Sequence, residues 1–502
     1  MKAIFDQGPF APCDTPFNLA EYVLAAGQTT PDKTALAVLA TGRAKRIRYQ
    51  EFRAAVLGIA SGLLQTGAKP GDRVLLRLGN IPEFPMCFLA AIAVGLIPVP
   101  TSAQLSQPEI DEIARQIEPT LVLASEGLTI PSSNAAKVID LASVEEMKTR
   151  DAATFERGSP DRPAYIVFTS GTSGMPRAVT HAHRAVWARR MMWDGWYGLG
   201  ADDRLLHAGA FNWTYTLGTG ILDPLAAGAT ALVPAPGVTP DQLPLLLKRH
   251  DATLFAAAPG VYRQLLRGTI PDLPKLRHGL SAGEKLPASI LDAWKTATGL
   301  EIYEAFGMSE CSTFISSSPT SPAPPHTLGR PQKGRRVALI GAEGPVDIGE
   351  AGTIAVHKSD PGLMLGYWGN EAETQSRYYG DWFLTGDRGV MDESYAIEYL
   401  GRDDDMMNAG GYRVSPLEVE AAMSKLPGIS ECAAIEVEVK SDVRVIALYF
   451  AGSADPKDPA LVAHAEEHLA RYKQPRIFRR VDALPRSANG KILRKALRQT
   501  HG

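Results

Sequence analysis

The stretch Tyr165-Ile-Val-Phe-Thr-Ser-Gly-Thr-Ser-Gly-Met-Pro-Arg-Ala-Val-Thr-His-Ala-His183 decides how this chain is read. Residues 165–169 form a short run of aromatic and β-branched side chains, the pattern of a buried strand. The run breaks into Ser170-Gly171-Thr172-Ser173-Gly174, continues through Met175-Pro176-Arg177, and gives way to a helical pattern near His183. Two glycines let the backbone turn tightly and approach a ligand. The hydroxyls and backbone N–H groups between them suit phosphate oxygens, and Arg177 adds a cation that can fork onto them. Such Ser/Gly composition ordinarily marks a surface turn. Here it follows a buried strand and leads into a cation, which points to a phosphate cradle. No Gly-Lys-Ser/Thr ends the loop, so it is not a Walker A motif.

A chain of 502 residues is too long for one compact core and predicts two or three domains. With 45% hydrophobic and 21% charged residues the composition is ordinary for a globular protein. A formal net charge of −3 gives no global pull toward nucleic acid or an anionic membrane. Cys13, Cys87, Cys311 and Cys432 lie far apart in no CxxC pair, which argues against a zinc site or a disulfide framework and fits a reducing, cytoplasmic setting. The first 22 residues hold Asp6 and three prolines without a sustained apolar core, unlike a signal peptide. The longest apolar stretch, residues 86–100, is too short to span a bilayer.

Outward from the opening loop, strand and helix patterns alternate. Residues 35–39 and 47–49 read as paired strands, 52–64 as a helix, 73–78 as a strand, then a helix to Val94, a strand at 97–100 and a helix at 107–117. Beyond the loop come strands at 204–207, 230–233, 254–257 and 278–281. Helices fall at 241–249, 261–267 and 286–298, the last closed by Gly299. Such alternation predicts a large α/β N-terminal domain with a mostly parallel sheet covered on both faces. Residues 316–325, rich in Ser and Pro, read as a surface loop. From Val337 short strands parted by Gly and Asp turns predict a small β subdomain. The charged run Gly401-Arg-Asp-Asp-Asp405 reads as exposed and as the boundary between residues 1–402 and 403–502. The second part is a small α+β unit with helices at 416–426 and 460–469 and strands at 433–439 and 443–450. Its end is strongly basic, which with few aromatics suits a polyphosphate ligand better than nucleic acid.

Several stretches now line up with one family. The opening loop, Glu304-Ala-Phe-Gly-Met-Ser-Glu310, Tyr379-Gly-Asp-Trp-Phe-Leu-Thr-Gly-Asp387, Gly401-Arg-Asp-Asp-Asp405 and Pro485-Arg-Ser-Ala-Asn-Gly-Lys-Ile-Leu-Arg494 occur in the order seen in adenylate-forming enzymes. That superfamily holds acyl-CoA synthetases, the adenylation domains of peptide synthetases, and luciferases. The resemblance covers nearly the whole chain. It implies ATP and Mg²⁺ as cofactors, a large nucleotide- and acyl-binding domain, and a small mobile C-terminal domain.

By resemblance, Thr169, Ser170, Gly171, Thr172, Ser173, Gly174 and Arg177 hold the outer phosphates of ATP. Glu310 is the magnesium ligand, with Ser309 beside it where the family usually has Thr. Mg²⁺ is typically held by one or two carboxylates plus substrate phosphates. Phe306 takes the place of the family's adenine-stacking Tyr. Gly283, Glu284, Glu304 and Gly307 line the nucleotide by similarity. Asp387 resembles the acceptor of both ribose hydroxyls, Arg402 a ribose-contacting arginine, and Asp404 the hinge about which the small domain rotates. Lys491 matches the catalytic lysine, whose ammonium stabilises charge as a carboxylate attacks the α-phosphate. Its setting also resembles that of bacterial synthetases switched off by lysine acylation, which would remove that charge.

Within the superfamily, Met407-Asn-Ala-Gly-Gly-Tyr-Arg-Val-Ser-Pro416 is similar to the CoA ligases, especially the aryl and medium-chain ones. Gly410, Gly411 and Tyr412 would then meet coenzyme A. An amino-acid-loading enzyme would need an early carboxylate, and Ala210-Phe-Asn-Trp-Thr-Tyr215 has none. By the same likeness Trp213, Tyr215, Ala257 and Gly283 line the acyl site, although the aromatics equally suit a packed core. Arg263, in a helix pattern, is the one cation counted on these segments, so a short, medium-chain or aromatic monocarboxylate is favoured over a dicarboxylate. Arg177 replaces the family's usual Lys and Ala178 its usual Gly. These departures keep open a non-catalytic nucleotide-binding relative, and the choice of branch leaves a stand-alone enzyme loading a carrier protein as the other alternative. A homodimer also stays open.

Overall fold

The computed structural model describes every residue except 133–135, 170–175, 403, 404, 406, 410, 411, 441, 442, 470, 488, 489 and 500–502. The chain forms two compact units. The larger comprises Phe5–Arg336 and Val356–Phe383, and the smaller Met1–Ile4, Val337–Ala355 and Leu384–Gly502.

The larger unit is built on three sheets. One is a nine-stranded sheet whose parallel centre runs Thr34–Leu39, Thr230–Pro234, Arg204–His207, Leu254–Ala256, His278–Ala282, Ile302–Met308. Antiparallel strands flank it, Lys45–Arg48 at one edge and Ser312–Ser316 followed by Arg330–Pro331 at the other. Neighbouring residues in these strands face opposite sides, as pleating requires. Leu206 and Phe255 pack with Tyr262 and Trp294 on one face. Leu205 and Ala256 pack with Tyr215 and Ala305 on the other. A second, four-stranded parallel sheet orders Ile97–Pro100, Arg73–Arg77, Leu121–Ala124 and Lys137–Asp140. The expected parallel sheet is thus two.

The third sheet holds the opening stretch. Pro163–Thr169 is the predicted strand, and its antiparallel partner Arg177–Ala182 was not expected. Residues 178–182 are all buried, with Val179 and Thr180 β-branched, so pairing takes a segment that periodicity left as a lead-in to the helix. Helix Ala185–Ala188 follows. Gly366–Tyr367 adds the third strand beside Arg177–Ala182. Ile166, Phe168 and Ala178 pack with Leu75, Val99 and Val122 of the four-stranded sheet, which anchors the hairpin.

Helix limits follow local chemistry. Gln107–Ile117 starts at Ser106, whose backbone N–H donates to Glu109 at 2.8 Å, a capping box. Ala288–Thr298 ends on Gly299 at φ 72°, the left-handed cap glycine favours. The run of serines expected in a loop is partly buried instead. Ser316 closes a strand and donates to the Gly195 carbonyl at 2.7 Å, and Ser317 exchanges bonds with Glu304. Their hydroxyls are paired, so burial costs little.

In the smaller unit, Ile429–Lys440 and Val443–Gly452 pair antiparallel, with Ile477–Arg480 parallel to the second. Helices Pro416–Met423 and Pro459–His468 cover one face through Val419, Met423, Leu461 and Ala465. Leu484 and Leu497, the latter on helix Arg494–Gln499, cover the other. Strand Ile397–Arg402 takes up Gly401 and Arg402, the first buried and the second half-buried, so the charged run is not exposed from its start.

Candidate functional site

The loop 170–175 lies outside the described residues, so Ser170, Gly171, Thr172, Ser173 and Gly174 carry no structural account. Its two flanks are fixed, because Thr169 pairs directly with Arg177 across the hairpin. The Arg177 guanidinium meets the Glu373 carboxylate, Nε to Oε1, at 2.5 Å, and lies 5.6 Å from the ring centre of Tyr367. Ala178 is buried in the strand, so replacing the usual glycine requires no left-handed backbone there.

Ser309 and Glu310 occupy the turn between Ile302–Met308 and Ser312–Ser316. A Cβ on Gly307 would come within 2.1 Å of the Ser312 carbonyl, so only glycine fits this hairpin neck. Glu310 is 9% exposed. The Tyr367 hydroxyl donates to its Oε1 at 2.8 Å, and its own carbonyl accepts from Met364 N–H at 2.7 Å. The neighbouring Ser309 carbonyl bonds His181 Nε2 at 2.8 Å. Burial pushes the His181 imidazole down to about 4, so Nε2 donates as part of a neutral ring. Two side chains and one backbone group thus pin the turn. Burial and the Glu310 charge push the Tyr367 hydroxyl well above the ordinary tyrosine range, which keeps it a donor.

The donor chemistry fits Mg²⁺. No described residue hydrogen-bonds Glu310 Oε2, and no cluster of three or more His, Cys, Asp or Glu is found among the described residues. A single carboxylate suits an ion that draws its remaining oxygens from phosphate and water.

Upstream on the same strand, Glu304 accepts from Leu286 N–H at 2.9 Å, and loss of water pushes its carboxyl up to about 7. Phe306 meets Phe314 edge-on at 5.5 Å. Gly283 has φ 98°, and a Cβ there would sit 2.6 Å from Trp213 Cζ2. Trp213 also packs edge-on against Tyr215 at 5.2 Å, and the Tyr215 hydroxyl donates to the Leu280 carbonyl at 3.2 Å. Asn80 braces this segment, donating to the Gly209 carbonyl and accepting from Phe211 N–H, both at 2.8 Å. Trp213, Tyr215 and Gly283 are therefore brought together. Ala257 packs with the other face, among Phe255, Tyr262 and Leu286. Glu284 follows Gly283, and Arg263 lies on helix Pro259–Leu265.

The smaller unit holds the remaining residues. Asp387 is 6% exposed and lies opposite Arg402 in the strand pair Trp382–Met391 and Ile397–Arg402. Its Oδ1 accepts from Tyr399 Oη at 2.7 Å, and its Oδ2 from Arg402 at 3.3 Å. Thr385 Oγ1 accepts from Asp387 N–H at 3.0 Å and donates to the Ile354 carbonyl at 2.8 Å. Lys491 is exposed and follows Gly490, whose φ is 87°. Arg486 ties this turn down, donating to the Gly490 carbonyl and to Glu431, each at 2.6 Å. Asp404, Gly410 and Gly411 lie outside the described residues. Tyr412 opens strand Tyr412–Val414, and its side chain is outside them too.

Tyr367, Glu373, His181 and Tyr399 touch the predicted residues and were not singled out in the sequence. The only available signal was the Gly366-Tyr-Trp368 turn ahead of a short helix, which reads as core packing.

Residues 24–368 match the family described as AMP-binding enzyme, and residues 418–491 match AMP-binding enzyme C-terminal domain. Benzoate–CoA ligase of Thauera aromatica is 30% identical, covering 90% of each chain. Acyl-coenzyme A synthetase ACSM2A, mitochondrial, of Homo sapiens is 31% identical over 86% of this chain and 80% of its own. The structure of a benzoate CoA ligase from Burkholderia xenovorans LB400 is 26% identical with a TM-score of 0.83, covering 96% of this chain and 100% of that one. An anthranilate CoA ligase, AuaEII, solved with anthranoyl-AMP, is 25% identical with a TM-score of 0.87, covering 97% and 98%. The fold, the ordered motifs and these relatives agree: the chain belongs to the AMP-binding, adenylate-forming enzymes, in their acyl- and aryl-CoA ligase branch.

Proposed function

We propose that this enzyme activates a short, medium-chain or aromatic monocarboxylate with ATP, releasing pyrophosphate, and passes the acyl group to coenzyme A. The observation that carries this reading is the convergence of Arg177, beside the phosphate loop, and the Glu310 carboxylate on one residue, Tyr367. A cation and an acceptor-only oxygen held side by side suit a nucleotide's outer phosphates and the metal they carry.

In the first half-reaction a substrate carboxylate oxygen attacks the α-phosphorus, and the bond to the bridging oxygen of pyrophosphate breaks. Mg²⁺, held by Glu310 with Ser309 beside it, would neutralise phosphate charge. Arg177 binds the leaving phosphates, Asp387 accepts the ribose hydroxyls, and Lys491 offsets charge between two anions. In the second half-reaction the CoA thiol adds to the acyl carbon and AMP leaves, with Gly410, Gly411 and Tyr412 proposed to meet the pantetheine. The proposed domain division lies between residues 402 and 403, with Asp404 as the hinge about which the small domain rotates between the half-reactions. The aromatic wall of Trp213 and Tyr215, set among Leu280, Ala282 and Ala305, supports a monocarboxylate that is apolar and compact. Coenzyme A is preferred to a carrier protein because the relatives named above are CoA ligases and an acyl-coenzyme A synthetase.

Among the described residues no helix is long and apolar enough to cross a membrane, and all four cysteines are free, which supports a cytoplasmic location. A homodimer and control by acylation of Lys491 are further proposals. Mass analysis of protein from its native source that finds Lys491 unmodified under all growth conditions removes the second. The reading as a whole is tested by pyrophosphate release across a panel of carboxylic acids, with and without CoA. Release that needs an acid, with acyl-CoA formed only when CoA is added, supports it. Transfer to a carrier protein but not to CoA, or ATP binding without turnover on any acid, overturns it.

A further inference from the structure

Tyr367 and Glu373 are absent from the set of residues that the motifs mark, yet each holds a group that the reaction uses. Tyr367 is 5% exposed and its backbone N–H is fixed by Thr374 Oγ1 at 2.9 Å. Thr374 in turn donates to the Asn370 carbonyl at 2.9 Å, and the Asn370 side chain caps helix Glu371–Ser376, which carries Glu373. The tyrosine and the glutamate thus belong to one rigid corner. From it Tyr367 spends its single hydroxyl proton on Glu310 Oε1 at 2.8 Å, leaving Oε2 without a hydrogen bond from any described residue. Glu373 meets Arg177 at Nε, 2.5 Å away. The contact is an ion pair by distance, because the Nε–H is not aligned for a hydrogen bond, and among the described residues the guanidinium makes no hydrogen bond.

We infer that Tyr367 and Glu373 are positioning residues of the phosphate–metal site. Tyr367 fixes the Glu310 carboxylate so that one oxygen faces the metal. Glu373 holds the Arg177 guanidinium by charge at its Nε edge, which leaves all its donors for phosphate. This inference rests on the reading of the site as one for Mg²⁺ and ATP. It also gives a reason for an arginine where the family has lysine: a guanidinium spreads its charge over three nitrogens between Glu373 and a phosphate, whereas an ammonium is a compact point charge. Buried hydroxyls that orient a metal carboxylate set affinity without touching the ion.

The test compares the wild-type enzyme with Tyr367→Phe and Glu373→Gln. ATP affinity is measured by calorimetry without metal, and Mn²⁺ uptake in the presence of ATP by loss of the free-ion electron spin resonance signal. Tyr367→Phe is expected to raise half-saturating Mn²⁺ about tenfold while metal-free ATP affinity is unchanged. Glu373→Gln is expected to do the reverse, weakening metal-free ATP binding about tenfold while Mn²⁺ uptake at saturating ATP holds. Thermal unfolding of both variants checks the fold. Wild-type constants in both variants overturn the inference, as do constants that move together with a lowered melting temperature, which is the mark of packing alone. Failure of the wild-type enzyme to bind ATP or Mn²⁺ at all would instead sink the underlying site reading.

Discussion

Lys491 and Arg177 are assigned to the same nucleotide but differ in setting. Lys491 is exposed on a glycine turn, whereas Arg177 is held at the end of a strand by a carboxylate and an aromatic ring. On the proposed reading their roles differ accordingly: Lys491 would meet charge that forms during attack and Arg177 charge already present on ATP. Lys491→Ala should therefore lower the adenylation rate by about 10²–10³-fold, the usual loss for one preorganised electrostatic partner. Arg177→Lys keeps a cation and should retain most of the turnover, with a higher ATP KM from the lost fork. Acid-dependent pyrophosphate release measures both. Small, equal effects would mean that the chemistry has been given to the wrong residue. Glu310, Asp387 and Lys491 could be singled out as candidates because each is a charged residue inside a family motif that holds a glycine. Tyr367 was not, because its hydrogen bond spans 57 residues of sequence and an aromatic in a turn looks like core.

At the scale of elements, strands and helices with a strong period were legible, and helix Gln107–Ile117 falls where its capping signals put it. The hairpin partner Arg177–Ala182 was hidden because its pairing with Pro163–Thr169 is set by tertiary contact with the four-stranded sheet. The hairpin that presents Glu310 depends on a feature with a plain consequence. Gly307 lies where the register shifts, and a methyl group there would meet the Ser312 carbonyl at 2.1 Å and Thr313 Cα at 2.5 Å. Both obstacles are backbone, so the strand pair itself must part. Gly307→Ala should cost about 2 kcal/mol or more and displace Glu310, giving a lower melting temperature together with weaker metal dependence. An unchanged melting temperature would contradict this account of the turn.

At the scale of the molecule, the proposed site residues are divided between the two units by sequence: Arg177, Glu310, Tyr367, Trp213 and Tyr215 fall in one, Asp387 and Lys491 in the other. Stability should also carry a signature of the larger unit. Glu304 titrates at about 7 when folded against an ordinary 4.5. Between those values the unfolded chain has lost the proton that the folded one keeps, so this group's contribution falls as pH rises and is gone above about 7. Glu304→Gln keeps an acceptor for Leu286 N–H and should show a shallower loss of stability from pH 5 to 8 than the wild-type enzyme in denaturant titrations. Parallel curves would place the Glu304 carboxyl in water. The account as a whole turns on an acyl adenylate, formed when a substrate oxygen bonds to the α-phosphorus. The direct measurement uses an accepted acid labelled with ¹⁸O in its carboxylate and follows the label through turnover with ATP and CoA. The account predicts that the AMP released carries ¹⁸O from the acid while pyrophosphate carries none. Unlabelled AMP, or label in inorganic phosphate with ADP as the nucleotide product, would contradict it.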